Sequence, residues 1–305
     1  MARTKNSFFA TSIELLKQTG QEWITDKAPQ LGAALAYYTV FSLAPLILVL
    51  LAVVGLLFRN DPGGAWNKIS EQMSYFLDKS AVEVVQNIAQ KAAQPNKSVL
   101  ATIIGVLLAL FGASGVFGQL QDALNTVWGV KAKPGGGIWG FLRSRFLSFA
   151  MVGGVCFLLL VSLTLESVLK GFSHYVQSIL PGGIVLALAI YWVFDLAVVI
   201  LLFAIIFKFL PDAEIRWRDV WIGAAMTAVL FAIGKWALGL YLGSGSAASA
   251  YGAASSLITL LLWVYYSAQI LLFGAEFTQV YASEAGRGVK PDPHAIRVQT
   301  KEPKT

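Results

Sequence analysis

Six long apolar runs divide this chain, and polar segments separate them. Each run has about 20 or more mostly apolar residues, the length that an α-helix needs to cross a bilayer. The apolar positions form continuous blocks and do not recur at the spacing of a half-buried helix. The predicted spans lie at residues 31–58, 99–127, 146–169, 182–209, 220–242 and 255–281. The pattern therefore predicts an all-α, polytopic membrane protein, with a bundle of six transmembrane helices over residues 28–282.

The segment before the first run, residues 1–27, predicts an amphipathic N-terminal helix on the membrane surface. Apolar side chains recur in it at helical spacing, and charged ones lie off that stripe. The helix either packs on the bundle or senses lipid, and packing is the more common role. The stripe consists of Phe9, Ile13, Leu16, Thr19 and Trp23.

Two further polar segments have different predicted structures. Residues 59–98 carry two apolar stripes at helical spacing, and Ser80–Glu83 fits a capping box, so we expect a helical hairpin that covers one end of the bundle. Residues 283–305 carry many charges and very few apolar side chains. Because such a segment cannot bury enough apolar surface to fold, we expect a disordered tail.

The distribution of charge predicts the orientation in the membrane. Only 13% of the 305 residues are charged, 56% are hydrophobic, and the net charge is +6. Of the 23 Lys and Arg residues, sixteen lie on one side of the predicted spans and six on the other. Because cytoplasmic loops carry the excess of Lys and Arg, we expect both termini to be cytoplasmic and the 59–98 hairpin to lie outside.

Residues that support common enzyme chemistries are scarce. The single cysteine, Cys156, lies inside an apolar run, which excludes an intramolecular disulfide and a multi-cysteine metal site. His174 and His294 lie in an expected outer loop and in the tail, and no cluster has the spacing of metal ligands. The chain has no Walker motif, dinucleotide fingerprint or nucleophile elbow. We therefore expect no metal, no cofactor and no catalytic residue, and predict that the protein is not an enzyme.

Three charged residues inside predicted spans are the first candidates for function. Asp195 lies near the middle of the fourth span, Lys235 about 10 Å from the outer end of the fifth, and Glu166 near the outer end of the third. A charge at the bilayer centre costs at least about 2.5 kcal/mol, so it usually faces protein or water. Lys235 pairs with Glu166, reaches towards Asp195, or snorkels outward. The residues form a structural ion pair, or else a headgroup site or proton relay.

Polar residues near the cytoplasmic ends of two other spans complete the set of hypothetical transport residues. Gln119, Asp122 and Asn125 lie three apart in the second span and share roughly one face. They form a functional polar face, or this end has already left the hydrocarbon. Glu276 lies near the end of the sixth span, where we expect it to bond to neighbouring helix ends or to cations of residues 208–218.

Proline and glycine positions predict where helices bend or pack closely. Pro45 removes one backbone hydrogen bond from the first span and should kink it. The glycines of the second span permit a close crossing or a break. Small residues recur every four positions in the fifth span, as is typical of close helix contact. The glycines are Gly112, Gly115 and Gly118, and the small residues are Ala224, Ala228, Ala232, Gly239 and Gly243.

Several short motifs follow one another along the chain: KAPQLGAALAYYTVFSLAP at residues 27–45, QDALNTVW at 121–128, LPD at 210–212, WRD at 217–219, GKW at 234–236, YG at 251–252 and GAE at 274–276. Together they resemble the YihY/BrkB family of bacterial inner-membrane proteins. Their order and spacing, more than any one motif, are specific to the family. The resemblance covers most of residues 25–282.

The resemblance implies six transmembrane helices in the bacterial inner membrane. It also implies a link to resistance to host killing and to the movement of lipid or lipopolysaccharide precursors. Some members of the family carry a label as a tRNA-processing ribonuclease. The residues argue against that activity, because this chain offers no metal constellation and no basic aromatic surface for RNA.

The leading hypothesis is an inner-membrane transporter or flippase-like protein for an anionic lipid or another amphipathic envelope precursor. Lys235 would attract the headgroup, and Asp195 and Glu166 would compete for the lysine. The alternative is a non-transporting scaffold or envelope-integrity factor, whose charges only lock helix packing. We expect membrane lipids as partners, a homo-oligomer or an envelope protein as further candidates, and no nucleic acid.

Overall fold

The computed structural model describes residues 5–57, 70, 82–83, 115–133, 183–243, 255–284 and 288–298. The helices are α1 (Lys5–Thr25), α2 (Ala28–Leu57), α3 (residues 115–127), α4 (Gly183–Phe209), α5 (Trp217–Gly243) and α6 (Ser255–Glu284). The strands are β1 (Val130–Ala132), β2 (Ala213–Glu214), β3 (Lys290–Pro291) and β4 (Ala295–Arg297).

Four of the long helices coincide with predicted spans. The bounds of α2, α4, α5 and α6 differ from the predicted ones by no more than three residues. Three stretches within these helices are long and apolar enough to cross a membrane: Trp192–Phe209, Trp217–Leu238 and Leu257–Glu284. The third predicted span, 146–169, lies outside the described residues. Of the predicted hairpin, only Ser70, Val82 and Glu83 are described, and all three are helical.

The antiparallel crossing of α5 and α6 depends on two glycines. Gly223 faces Thr278 and Gly274 faces Thr227, and a Cβ at either glycine would overlap the facing threonine. Each threonine hydroxyl donates to the carbonyl of the glycine four residues earlier on its own helix, at 2.7 Å for Thr227 and 2.6 Å for Thr278. The hydroxyls are thus satisfied within each helix, and the contact between helices is close packing of small groups, the main attraction available in lipid.

Aromatic side chains continue the packing between α4, α5 and α6. Phe203 of α4 stacks with Phe207, with ring centroids 6.2 Å apart, and meets Phe231 of α5 edge-on at 5.8 Å. Phe231 in turn meets Trp263 of α6 edge-on at 6.4 Å. Stacked and edge-on geometries at these distances are favourable for aromatic pairs. One row of rings therefore joins the three helices.

α1 packs against α6 and α2 through one side only. Thr19 is fully buried and Trp23 packs against the core, whereas Ile13 is 65% exposed. The side of α1 that carries Thr19 and Trp23 therefore packs on the other helices. A turn joins α1 to α2 through Lys27, whose φ of 56° lies in the left-handed region. α2 then begins at Ala28 with Pro29 in its first turn, where a missing backbone donor costs nothing.

The four strands join three distant segments at one end of the helices. We call residues 129–133, 210–216 and 288–298 the collar. β1 pairs with β4 in antiparallel fashion, Val130 opposite Arg297, and β2 pairs with β3, Ala213 opposite Pro291. The all-α prediction missed these strands because strands of two or three residues are too short to show a periodicity.

The prediction of a disordered tail over 283–305 is wrong for much of its length. Residues 283–284 complete α6, and residues 288–298 belong to the collar. The Val298 amide donates to the Gly129 carbonyl at 2.8 Å, and the Asp292 amide donates to the Asp212 carbonyl at 3.1 Å. The composition rule considers a segment alone, but this segment finds its backbone partners on loops far away in the sequence.

Candidate functional site

Asp195 and Lys235 interact inside two neighbouring helices, and we call them the deep pair. Asp195 lies about 20 Å before the end of α4 and Lys235 about 27 Å after the start of α5, at 1.5 Å per residue. The helices pack against each other, and the charge of Asp195 acts on Lys235. Both side chains are half-buried. Of the alternatives for Lys235, an electrostatic interaction with Asp195 is present, while Glu166 lies outside the described residues.

The sequence neighbours of the deep pair combine a close helix contact with exposed apolar surface. Gly234 packs against Tyr266 and Ile270 of α6, and a Cβ there would overlap both side chains. Trp192, one turn before Asp195, is 67% exposed, and Trp236 is 68% exposed. Large apolar side chains that are exposed on candidate spans would meet lipid tails. Charged and lipid-facing groups thus lie side by side at this level of the bundle.

Glu276 is buried in acidic surroundings on α6. It is only 1% exposed, and neither carboxylate oxygen has a hydrogen-bond partner among the described residues. The charges that act on it come from Asp26, in the turn after α1, and from Glu22, in the last turn of α1. The expected bonds to helix ends or to cations of residues 208–218 are not found in the described part of the chain. Such surroundings disfavour a buried negative charge.

Gln269 lies on the same face of α6, two turns from Glu276. Its Nε2 donates weakly to the Ala28 carbonyl at 3.5 Å, and its side chain fills the space beside Gly32 of α2. Its Oε1, like Trp23 Nε1 on α1, is buried without a hydrogen-bond partner among the described residues. Buried polar atoms of this kind are uncommon in folded proteins. Their concentration where α1, α2 and α6 meet marks a polar region inside the bundle.

Asp212 joins α3 to the collar through three hydrogen bonds. Asn125 Nδ2 donates to Oδ2 of Asp212 at 2.9 Å, and Asn125 Oδ1 accepts from the Asp212 amide at 2.8 Å. Gln121 Nε2 donates to Oδ1 of Asp212 at 3.2 Å. Asn125 and Gln121 are buried. A two-way amide–aspartate pair of this kind fixes both backbones, so the cluster is primarily a structural junction.

This cluster changes the interpretation of the predicted polar face on α3. Asn125 belongs to the cluster, but Asp122 is exposed and Gln119 is half-buried away from it. Sequence reasoning selected residues three apart and missed Gln121 and Asp212. The spacing of Gln121 and Asn125, four apart and therefore on one helix face, was the signal available.

The residues predicted to bend or pack helices have varied surroundings. Pro45 lies within α2, which is helical without interruption from Ala28 to Leu57. Gly115 packs against Tyr38 and Ser42 of α2, where a Cβ would have ordinary contacts at 3.7 Å, and a Cβ at Gly118 would meet nothing within 4 Å among the described residues. Gly239 is part of α5, and Gly112 lies outside the described residues. Of the small residues on α5, Ala224 and Ala228 are buried.

Within the described ranges, no group of three or more His, Cys, Asp or Glu side chains is arranged to hold a metal ion. Three charged or polar clusters there are the deep pair, the acidic region around Glu276 and the Asp212 junction. All three can bind or orient polar groups.

Comparison with known proteins extends the picture beyond the described residues. The family model described as virulence factor BrkB matches residues 19–298. A UPF0761 membrane protein of Pseudomonas aeruginosa is 28% identical over 274 residues, which are 88% of this chain and 62% of the relative. A UPF0761 membrane protein of Tolumonas auensis is 28% identical over 257 residues, 83% of this chain and 80% of the relative. No solved structure matches the chain.

The relatives and the structure agree on the broad class. The chain spans 62% of the length of the Pseudomonas relative, and the relatives are named only as membrane proteins. Three apolar helices of spanning length support the same class. Since the family model covers most of the sequence, including the collar, this chain is a membrane protein that belongs to the virulence factor BrkB family.

Proposed function

We propose that the protein moves an anionic amphipathic molecule, a lipid or another envelope precursor, across or within the bacterial inner membrane. The observation that carries the proposal is the deep pair: Lys235 and Asp195 interact within two candidate spans and are only half-buried. Ionisable residues at membrane depth are costly and commonly mark a substrate pathway. We also propose that the protein acts without catalysing a covalent reaction, with both termini in the cytoplasm.

Lys235 would bind the headgroup by exchanging one anionic partner for another. In the absence of substrate, Asp195 supplies the negative charge that the ammonium needs at this depth. A phosphate or carboxylate headgroup would take over that role, and the repulsion from Asp195 would favour its release. The lysine would therefore never be left unpaired in the membrane. The exposed rings of Trp192 and Trp236 offer contact surface for the attached tails.

The test is translocation of headgroup-labelled lipid in liposomes that contain the purified protein. Lys235→Ala should reduce the rate about 10-fold or more, because it removes one charge-assisted contact with the headgroup. Asp195→Asn should also change the rate, since it removes the competing charge. Lys131→Ala is the matched control, because this exposed cation lies in β1, far from the deep pair in the sequence.

Both anionic and zwitterionic lipids should be compared in the same liposomes. Only variants whose unfolding temperature stays within a few degrees of the wild type count in the comparison. A wild-type rate equal to that of empty liposomes would refute the transport proposal. An unchanged translocation rate in Lys235→Ala would show that the deep pair is not part of the pathway.

A scaffold without transport is the second candidate, favoured by the close Gly–Thr crossing and the collar. Both features hold helices and loops in fixed positions. In a scaffold, Lys235→Ala would leave Asp195 without its partner and lower the unfolding temperature, and no lipid would cross. Loss of stability without any wild-type translocation would therefore favour this candidate, with an envelope protein or a second copy of the chain as its partner.

A further inference from the structure

We infer that the turn between α4 and α5 carries a binding site for the phosphate headgroup of a membrane lipid, separate from the deep pair. A pocket of about 630 Å³ opens at this turn, and we call it the turn pocket. It is lined by the cations Lys208, Arg216 and Lys290, by the acid Glu214, and by the ring of Trp217. The inference does not depend on translocation, because a transporter and a scaffold could both bind lipid here.

The cations of the turn pocket come from three separate elements. Lys208 lies in the last turn of α4, Arg216 precedes α5, and Lys290 lies in β3. Glu214 is the acid in the lining, and it lies directly opposite Lys290 in the β2–β3 register. Among the described lining residues, three positive charges and one negative charge leave an excess of two. Folding of the collar brings these charges together, since the pairing of β3 with β2 places Lys290 at the turn.

Lys208 is held in a defined position. Its Nζ donates to the Ile215 carbonyl at 2.6 Å and lies 5.8 Å from the centroid of the Trp217 ring. An ammonium group has three donors, so one bond to Ile215 leaves others for a ligand. Trp217 is also the first residue of α5, and the N-terminus of a helix favours an anion; Asp219, buried in the same turn, is one such group. The pocket thus combines an oriented cation with a helix N-terminus.

Exposed aromatic rings place the turn pocket at the level of lipid headgroups. Phe209, Trp217 and Trp221 are 51%, 46% and 44% exposed. The centroid of the Trp217 ring lies 5.8 Å from that of Phe209 and 6.4 Å from that of Trp221. These residues mark the end of one candidate span and the start of the next. Tryptophan is enriched at membrane–water interfaces, which makes a lipid phosphate the fitting ligand here.

The experiment compares lipid binding by the full chain in detergent, measured by native mass spectrometry. Phosphatidylglycerol and phosphatidylcholine are supplied at equal concentration. The variant Arg216→Gln/Lys290→Gln should bind phosphatidylglycerol about 10-fold less tightly, because two cations near the headgroup are lost. Binding of phosphatidylcholine should change less than about 3-fold, since its headgroup has no net charge.

The matched control is Arg218→Gln/Lys131→Gln. It removes the same number of charges from exposed positions at the same end of the helices, but neither residue lines the turn pocket. It should weaken phosphatidylglycerol binding less than about 3-fold. Equal losses in both variants would show a diffuse effect of surface charge and overturn the assigned site, as would equal binding of the two lipids by the wild type.

Inorganic phosphate distinguishes a lipid site from a site for a free anion. It should compete with phosphatidylglycerol only at far higher concentration, because it lacks the glycerol and tails that would contact Trp217 and its neighbours. Displacement at equal concentration would overturn the lipid assignment. If the double variant does not fold, Lys290→Gln alone, at an exposed position, should still weaken binding more than Lys131→Gln. The result is independent of translocation, so each proposal can fail alone.

Discussion

The collar and the α5–α6 crossing hold distant parts of the chain together by different means. At the collar, hydrogen bonds join segments far apart in sequence, such as Asp212 to Asn125 of α3, and Lys133 Nζ to the Pro293 carbonyl at 2.7 Å. At the crossing, α5 and α6 touch through glycines, and the hydroxyls of Thr227 and Thr278 bond within their own helices.

The difference follows from the surroundings of the two regions. Between helices in lipid, the hydrophobic effect gives little attraction, so close packing of small groups has to supply it. At the ends of the helices, polar groups of loops must find partners, and those partners determine which loops meet. The collar therefore determines which segments lie next to each other, and the crossing determines how closely α5 and α6 approach. Substitutions in the two regions should therefore reduce stability in different ways.

The largest effect is expected at the crossing. Gly223→Val would place methyl groups where Thr278 lies, and the two helices would have to separate. We expect a loss of about 3 kcal/mol in the free energy of unfolding, the upper part of the range for overpacking. Helix content followed against increasing sodium dodecyl sulfate in mixed micelles would measure it. Combining Gly223→Ala with Thr278→Gly should restore part of the stability lost in Gly223→Ala.

Gly118→Val is the control for the change of residue type. Gly118 is also helical, but an added Cβ there meets nothing within 4 Å in the part of the chain that the structure describes. Its effect should stay below about 1 kcal/mol, since only helix propensity changes. A loss at Gly118 as large as that at Gly223 would show that glycine flexibility, and not the close approach of α5 and α6, is what matters.

The sequence predicts the long helices better than the collar, and the reason is physical. A membrane-spanning helix leaves its signal in one continuous apolar run, so the bounds of α4 and α6 follow from local composition. The position of the crossing does not follow from local composition. The sequence shows the small residues Ala224 and Ala228, but it does not show which residues of the other helix face this part of α5. Gly223 and Gly274 acquire their role only from the threonines on the other helix.

The second largest effect is expected at the junction between α3 and the collar. Asp212→Ala removes the acceptor of Gln121 Nε2 and Asn125 Nδ2, both on buried residues. Unpaired buried donors cost about 1–3 kcal/mol, so we expect a loss of about 2 kcal/mol. Hydrogen exchange should also become faster at Asp292, whose amide donates to the Asp212 carbonyl. Asp212→Asn keeps one oxygen acceptor and should lose less.

Faster exchange in the collar with unchanged exchange at the α5–α6 crossing would confirm that the two regions are stabilised separately. Uniform loss of protection would contradict it, because the whole chain would then unfold as one unit. Sequence reasoning had found Asn125 as a polar residue but not its role. Asp212 lies 87 residues away, and a partner at that distance leaves no periodic signal.

The smallest effect is expected in the polar region where α1 meets α6. Asp26 lies in the α1–α2 turn, and burial, helped by the negative charge of Glu22, raises its pKa from its usual value of 3.8 to about 6. The folded state therefore holds a proton that the unfolded state releases between these values. Stability contributed by the protonated form is present below pH 4 and is lost as the pH rises through 6. The negative charge of Asp26 acts in turn on Glu276 of α6.

Asp26→Asn should raise the unfolding temperature by about 2 °C at pH 7.5 and have almost no effect at about pH 3, where the wild-type carboxyl is largely neutral in both the folded and the unfolded state. The shift is small because Asp26 is only half-buried, so solvent screens part of its charge. Glu14→Gln makes the same change of charge at an exposed position on α1 and should be nearly neutral at both pH values. An equal gain from Asp26→Asn at both pH values would show that its packing, and not its charge, limits the stability of this junction.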